Sequence, residues 1–159
     1  TRCGSVDPSA ATYIAEKEGM TLAQLNDMMN KKSGVLGISG VSSDFRDLIA
    51  GEEQGNERCK LALDMFAYQT KKFVGAYAAA MGGLDCIVFT AGIGENTPTV
   101  RADVCEGLEF LGVKIDLKAN DAKNDGSIRD ISAKGSKVKV LIIPTNEELV
   151  IARETAALL

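Results

Sequence analysis

The chain has 159 residues, of which 45% are hydrophobic and 25% charged, and its formal net charge is −4 from 18 basic and 22 acidic side chains. This composition predicts a globular domain with its own core, and the acidic balance excludes the basic surface that nucleic-acid binding requires. We expect no membrane partner, because no apolar run approaches the roughly 18 residues of a transmembrane helix. We expect no secretory signal, because the N-terminus has no basic region followed by an apolar stretch.

The cysteine and histidine content narrows the chemistry further. The four cysteines lie far apart without a CxxC pair, which argues against a zinc site and favours a reduced, cytoplasmic protein. The chain has no histidine. A general base or a nucleophile activated by histidine is therefore excluded within this sequence.

The first third of the chain predicts helices. Asp7 suits an N-cap, Pro8 suits a first turn and Gly19 suits a helix end. The segment TLAQLNDMMNKKSG predicts a second helix capped by Thr21, with apolar residues at helical spacing. A glycine-rich stretch follows, and a short helix is expected to begin near Ser43.

A single long helix is predicted from Gln54 to Met81, ending at Gly82 and Gly83. With a rise of 1.5 Å per residue it would be about 40 Å long, enough to brace a domain or to form a dimer interface. One face is marked by apolar side chains, namely Leu61, Met65, Phe66, Phe73, Tyr77 and Met81.

The second half of the chain alternates strands and helices. The predicted segments are a strand at LDCIVFT, a helix over residues 97–107, a possible strand at GVKIDL, a polar connection at KANDAKNDGSIRD, a strand at SKVKVLIIPT and a helix at NEELVIARETAALL. Two strand–turn–helix units in a helix-rich chain predict an α/β fold. Two or three strands make a small sheet and the sequence begins with Thr1, so we expect it to be part of a longer protein.

The first candidate site is TAGIGENTP, which joins a strand to a helix. Such a junction presents unpaired N–H groups that attract anions, and its glycines permit close approach by a ligand. The segment contains Gly92 and Gly94, but it has neither the lysine of a Walker A loop nor the third glycine of a dinucleotide fingerprint. Glu95 disfavours direct phosphate contact and fits better beside a sugar, a base edge or a metal-bound water. Spacing alone leaves ligand contact and a plain tight turn equally open.

The second candidate site is IIPTNEELV. Thr145 and Glu148 have the spacing of a capping box, which gives Glu148 a structural role. Glu147 is then free, and a carboxylate at the end of a strand suits Mg²⁺. A solvated acid in the first turn of a helix is the other interpretation.

Two further segments carry reactive side chains. Arg2, beside a Cys–Gly–Ser turn, can bind a carboxylate or phosphoryl group bidentately, although most arginines are surface residues. Asp44 and Arg46 flank Phe45 at a predicted helix start. The aromatic ring could hold an adenine or pack on the core.

Four segments, taken in chain order, resemble acetate kinases. They are TRCGSVDP, SGVLGISGVSSDFR, FTAGIGEN and IPTNEELVIARET. The resemblance runs along the whole chain and covers somewhat under half of a typical member, so residues 1–159 are expected to be a partial C-terminal nucleotide-binding domain. It implies the ribonuclease-H-like α/β fold of the actin, hexokinase and Hsp70 group. Members transfer the ATP γ-phosphoryl group to acetate with Mg²⁺, giving acetyl phosphate and ADP reversibly, and usually form homodimers through this half.

The resemblance also implies roles for individual residues. Arg2 matches the catalytic arginine that steadies the transferring phosphoryl group. The adenosine-side segment is matched by Asp44, Phe45 and Arg46, the nucleotide loop by Gly92, Ile93, Gly94, Glu95 and Asn96, and the Mg²⁺-associated glutamate by Glu147. Ser5 departs from the family, in which aspartate is common at this position, and this leaves the geometry of its loop open.

The resemblance places the family's metal-side asparagine, substrate-binding arginine, catalytic aspartate, catalytic histidine and phosphate hairpin upstream of this chain. We therefore expect the chain alone to be inactive while retaining weak nucleotide binding. Propionate or butyrate kinases are near alternatives, because the acyl pocket is built largely by the absent part. Alternatives from other classes are a non-catalytic, actin-like nucleotide-binding module and a structural dimerisation piece with the long helix at its interface.

Overall fold

The computed structural model describes residues 1–158, and these form nine helices, one 3-10 turn and three strands. The helices are α1 Pro8–Lys17, α2 Leu22–Lys31, α3 Gly34–Ser39, α4 Phe45–Glu53, α5 Glu57–Met81, α6 Ala91–Asn96, α7 Pro98–Cys105, α8 Leu117–Asp121 and α9 Glu147–Ala157. The strands are β1 Cys86–Phe89, β2 Arg129–Asp130 and β3 Lys139–Ile142, and the 3-10 turn is Glu109–Leu111. The chain divides into two compact units, Thr1–Gln69 and Thr70–Leu159.

The first unit begins with the two helices that the sequence predicts. Asp7 caps α1 by accepting a hydrogen bond from the Ser9 N–H (2.7 Å), and Pro8 is the first helical residue. Thr21 caps α2 in a complete capping box, in which its own N–H donates to Gln24 Oε1 (2.8 Å). These local signals set the helix starts because they satisfy N–H groups that have no partner inside the helix.

The structure corrects the start of the long helix. Gln54 is the C-terminal cap of α4, and Gly55 has a φ of 83°, a conformation that a helix cannot continue through. The Asn56 side chain then accepts hydrogen bonds from the N–H groups of Arg58 and Cys59. Helix α5 therefore starts at Glu57 rather than Gln54, and its 25 residues span about 38 Å.

The apolar face predicted along α5 is largely exposed, whereas another face is buried. The buried side chains of the helix are Cys59, Ala62, Leu63, Ala67 and Ala78. The exposed fraction is 48% for Leu61, 50% for Phe73 and 68% for Met81. Mostly small side chains, together with Leu63, thus make the packed face of α5, whereas most of the larger apolar side chains on the predicted face are exposed.

The second unit is built on a three-stranded sheet of order β1-β3-β2. Strands β1 and β3 are parallel, with Cys86 opposite Lys139 and Phe89 opposite Ile142, and β2 pairs antiparallel with β3. The core around them consists of Ile87, Cys105, Leu108, Val113, Ile131, Val138, Val140 and Ile142. The sheet with its helices confirms the predicted α/β class.

Two sequence predictions in the second unit are wrong. The segment GVKIDL is not a strand, because it forms only isolated bridges from Val113 to Val138 and from Ile115 to Ser132. The polar segment that follows is not plain connection, since it contains α8 and β2. Asp116 caps α8 by accepting from the Ala119 N–H (3.0 Å), a local signal that the apolar pattern does not reveal.

The final helix agrees with its predicted position, although Leu159 at the end of that segment lies outside the described residues. None of the helices described between residues 1 and 158 has the length and hydrophobicity to cross a bilayer.

Candidate functional site

The carboxyl ends of β1 and β3 bring two of the predicted site segments together. The strands are parallel neighbours, so the chain leaves both at one edge of the sheet. The Ile143 N–H donates to the Phe89 carbonyl (3.0 Å) just beyond the paired residues. Residues 90–96 and 143–147 therefore start from the same edge, where ligands of open α/β sheets commonly bind.

The segment after β1 is a helix and not the tight turn that the sequence predicts. Residues Ala91–Asn96 form α6, and Ala91 enters it with a φ of 58°, which is unusual for a residue other than glycine. A single residue, Thr97, separates α6 from α7, whose first residue is Pro98. The change from turn to helix leaves the order strand, glycine segment, helix unchanged.

The two glycines of α6 occupy different surroundings. A Cβ atom on Gly94 would lie 3.1 Å from the Phe89 carbonyl carbon. The close packing of α6 against β1 therefore requires a residue without a side chain at this position. A Cβ atom on Gly92 would meet nothing within 4 Å. The fold therefore explains Gly94, whereas Gly92 leaves exposed backbone that a ligand can approach.

The polar side chains of α6 bind other parts of the chain. Glu95 Oε1 accepts hydrogen bonds from the Thr145 N–H (2.9 Å) and the Thr145 hydroxyl (3.2 Å). Asn96 donates to the Gly92 carbonyl (3.0 Å) and accepts from the Asn124 amide (2.9 Å). These contacts hold α6 at its position beside the strand ends.

A buried arginine beneath α6 was not predicted from the sequence. Arg101 is 1% exposed, and its guanidinium donates to the carbonyls of Gly94 (2.9 Å) and Glu95 (3.1 Å). It also donates to the side chain and the carbonyl of Asn120, each at 2.7 Å. Asn120 is fully buried and donates in turn to the Pro98 carbonyl (2.9 Å). This network joins α6, α7 and α8.

The hydrogen-bond acceptors of the Arg101 guanidinium are backbone carbonyls and the Asn120 amide, all of them neutral, so its buried charge has an electrostatic cost. Burial lowers the pKa of the guanidinium, and the nearby Arg129 lowers it further. A sequence signal for this residue existed, because Arg101 lies on the α7 face that buries Val100, Val104 and Cys105. A charged residue on a buried helix face requires hydrogen-bonding partners. The sequence carries no comparable signal that Asn120 is buried.

The start of α9 corrects the predicted capping box. Asn146, and not Thr145, is the N-cap, and its side chain accepts from the Leu149 N–H (3.1 Å). The Thr145 N–H is engaged by Glu95 instead. Glu147 is the first residue of α9 and is exposed. The capping argument that separated Glu147 from Glu148 therefore no longer holds.

No cluster of three or more His, Cys, Asp or Glu side chains within residues 1–158 could hold a metal ion. Mg²⁺ does not need such a cage, since it commonly takes one or two carboxylates and keeps several waters. Glu147, with an exposed carboxylate at a strand edge, fits that limited role. The cysteines are free thiols, and burial raises the pKa of Cys105 to about 11.

The predicted segment of residues 44–46 starts α4 in the first unit. Asp44 caps the helix through the Arg46 N–H (2.9 Å) and pairs with the Arg46 guanidinium, which lowers the pKa of Asp44 to about 2. Phe45 is 8% exposed and packs edge-to-face on Phe66, with ring centroids 4.8 Å apart. Two charged side chains of this segment thus face solvent, while the ring packs in the core.

Arg2 also lies in the first unit, where its backbone is held and its side chain is exposed. The Ser33 N–H donates to the Thr1 carbonyl (2.9 Å), and the Cys3 N–H donates to the Met29 carbonyl (2.8 Å). Gly34 has a φ of 61°, and a Cβ atom there would lie 2.6 Å from the Arg2 carbonyl oxygen. This close approach explains the glycine and fixes the point from which the guanidinium extends.

Comparison with known proteins decides the family of the chain. Residues 1–153 match the sequence model of the Acetokinase family. The chain belongs to this family. It is 59% identical, over all 159 residues, to the acetate kinase of Heliobacterium modesticaldum, and covers 39% of that protein. The chain thus spans about 40% of the length of the curated relatives that it matches.

Solved structures of Acetokinase relatives share the fold. The acetate kinase of Porphyromonas gingivalis superposes with a TM-score of 0.93 at 50% identity, covering 99% of this chain and 39% of that one. A propionate kinase from Francisella tularensis gives 0.86 at 38% identity, covering 97% and 38%. The predicted family and fold class are therefore confirmed.

Proposed function

We propose that this chain is part of an ATP:acetate phosphotransferase, which transfers the ATP γ-phosphoryl group to acetate and gives acetyl phosphate and ADP reversibly. The observation that carries the proposal is the match of the whole chain, at 59% identity, to a protein described as an acetate kinase. In this proposal residues 1–159 form a partial C-terminal nucleotide-binding domain that supplies the nucleotide side of the active site. We further place the protein in the cytoplasm, in keeping with its free thiols.

Each predicted site residue has a place in this proposal. Residues 44–46 and Gly92–Asn96 bind the nucleotide, and the open space at Gly92 supports close contact by the ligand with the backbone. Arg2 is the catalytic arginine, and its exposed guanidinium suits a phosphoryl group whose charge grows in the transition state. Glu147 is the metal-side carboxylate. Mg²⁺, when bound, neutralises phosphate charge.

The chain alone is proposed to be inactive. It contains no histidine, and it spans about 40% of the length of its relatives, whose remaining residues would complete the site. An assay of acetyl phosphate formation by this 159-residue chain tests the proposal, and turnover above the background would contradict it.

A propionate kinase is the second candidate, favoured by the structural similarity to the Francisella tularensis propionate kinase. The measurement that separates the two is kcat/KM for acetate against propionate in the protein that contains this chain together with the remainder of the family's length. A higher value for propionate would reject acetate as the substrate.

We also propose that the protein is a homodimer that uses α5. The large apolar side chains exposed along this helix support an interface, because exposed apolar patches commonly mark protein contacts. Sedimentation at several concentrations tests this proposal. A monomer throughout would contradict it, and Phe73→Lys is the variant expected to weaken a dimer that forms.

The nucleotide segment is tested by calorimetric titration of the chain with MgADP. Gly92→Val adds a side chain where the fold has space, so it should fold while blocking a ligand that contacts the backbone. We expect binding by the wild type and at least about tenfold weaker binding by Gly92→Val, a size typical of one lost close contact. Equal affinities would remove the nucleotide assignment from this segment.

A further inference from the structure

The contact between Glu95 and Thr145 links two segments that lie 50 residues apart in sequence. One carboxylate oxygen, Glu95 Oε1, accepts from both the N–H (2.9 Å) and the hydroxyl (3.2 Å) of Thr145. Bonds to an ionised acceptor are stronger than those between neutral groups. The two donors therefore define the position of Thr145 relative to α6.

The backbone carbonyl of Glu95 is itself held by a hydrogen bond from a buried side chain. Arg101 donates to the carbonyls of Gly94 and Glu95, and its other bonds go to the fully buried Asn120. Because Asn120 is bonded to Pro98 at the start of α7, the guanidinium and its acceptors form one connected network. Glu95 thus projects from a fixed point, and its carboxylate is presented to Thr145 by a buried network.

The other end of the contact leads to the acidic start of α9. Thr145 directly precedes Asn146, the N-cap whose side chain accepts from Leu149, and Glu147 is the next residue. A helix cap fixes the geometry of the first turn. A displacement of residues 91–96 would therefore be passed through Glu95 and Thr145 to Glu147.

We propose that Glu95 is a positioning residue that couples residues 91–96 to the carboxylate of Glu147, so that nucleotide and divalent cation bind with positive coupling. The inference rests on the proposed function, and it gives the Glu95 side chain a role through Thr145 rather than through contact with the nucleotide.

The first arm of the test measures the coupling without any ligand. Amide hydrogen exchange followed by NMR reports the Thr145 N–H directly in the wild type, Glu95→Ala, Glu95→Gln and the control Glu106→Ala, which removes an exposed carboxylate at the end of α7. We expect about tenfold faster exchange in Glu95→Ala, because the acceptor is lost. Glu95→Gln keeps an acceptor oxygen and should stay within about twofold, as should the control.

The second arm measures ADP affinity by calorimetry with Mg²⁺ and with EDTA. The ratio of the two dissociation constants reports coupling between the cation and the nucleotide. We expect Glu95→Ala to reduce this ratio about fivefold, because more ADP affinity is lost with Mg²⁺ than with EDTA, and Glu95→Gln to restore it. Thr145→Val, which removes the hydroxyl and keeps the amide donor, should give a smaller loss and covers the case in which Glu95→Ala does not fold.

The outcomes separate the inference from the proposed function. Unchanged exchange of Thr145 in Glu95→Ala, or an equal loss of ADP affinity in both buffers, would overturn the inference while a wild type that binds ADP still supports the proposed function. When the second arm is run on the protein that contains this chain together with the remainder of the family's length, a wild type that binds ADP in neither buffer would overturn both.

Discussion

The two predicted nucleotide segments, residues 44–46 and Gly92–Asn96, the second of which lies in α6, are held in place by different kinds of interaction. Asp44 and Arg46 lie two positions apart and bind each other, and Arg46 is exposed while Asp44 is half-buried. Segment Gly92–Asn96 instead depends on Arg101, which is buried, and on Thr145, which is 50 residues from Glu95. A short-range exposed pair contributes little to stability, whereas a buried network fails when one member is removed. The two segments should therefore respond very differently to substitution.

The largest effect is expected for Arg101→Met. This change removes four hydrogen bonds and leaves the side-chain oxygen and the carbonyl of the buried Asn120 without the guanidinium, so the free energy of unfolding should fall by about 3 kcal/mol. Urea denaturation measures the loss. Arg46→Met is the matched control, and its urea midpoint should hardly change because the side chain is solvent-exposed. Equal losses in the two variants would remove the contrast between the segments.

The second largest loss of stability is expected at Gly94, and it distinguishes this glycine of α6 from Gly92. Gly94→Ala places a methyl group 3.1 Å from the Phe89 carbonyl carbon, and this overpacking should cost about 1–2 kcal/mol of unfolding free energy. Gly92→Ala has open space and should change it by less than about 0.5 kcal/mol. Thermal or urea unfolding of the pair checks the order. A larger loss at Gly92 would mean that the fold, and not a ligand, requires that glycine.

A smaller, local effect is expected at the start of α9. Asn146→Ala removes the cap of the Leu149 N–H and should lower the stability of the helix by about 1 kcal/mol, which makes the first-turn amides exchange about fivefold faster. Glu148→Ala should leave these amides nearly unchanged, since Glu148 is not part of a capping box. Faster amide exchange in Glu148→Ala than in Asn146→Ala would instead support the capping box predicted from the sequence.

The smallest effect is the pH dependence of Asp44. Its pKa in the folded state, about 2, lies below the ordinary 3.8 because Arg46 binds the ionised form. The pair therefore stabilises the fold above about pH 4, and this contribution is lost as the pH falls toward 2. Asp44→Asn keeps a capping side chain, so wild type and variant should differ slightly in urea midpoint at pH 5 and much less at pH 2. Added salt should reduce the difference; a difference of equal size at pH 2 and pH 5 would point to another cause.

Prediction from sequence succeeded where the signal is local. Asp7 with Pro8 marks one helix start and Thr21 marks the next, and the structure confirms both helices. Among the wrong predictions, the capping box at Thr145 is the most instructive. Thr145 has the residue type and the spacing of a cap, but Glu95 competes for its N–H from another part of the chain. A distant acceptor cannot be seen in a local pattern.

In the candidate site, too, local features could be predicted from the sequence and contacts between distant residues could not. The segment containing Gly92 and Gly94 was singled out from its glycines and its place after a strand, but the different surroundings of the two glycines depend on Phe89 packing against one of them. Asn120 had no signal at all, because a buried asparagine and a loop asparagine look alike in a polar stretch of sequence. Its burial follows from the partners that α6 and α7 offer.

By itself the sequence determined the family, the α/β class and the segments that carry candidate site residues, because ordered motifs, helix caps and apolar strands are encoded by neighbouring residues. The tertiary structure alone decided that Ala91–Asn96 is a helix held by Arg101, and that Glu95 reaches Thr145 at the start of α9. The physical reason is that buried polar groups must find partners wherever the fold provides them, and those partners lie on strands and helices that are distant in sequence.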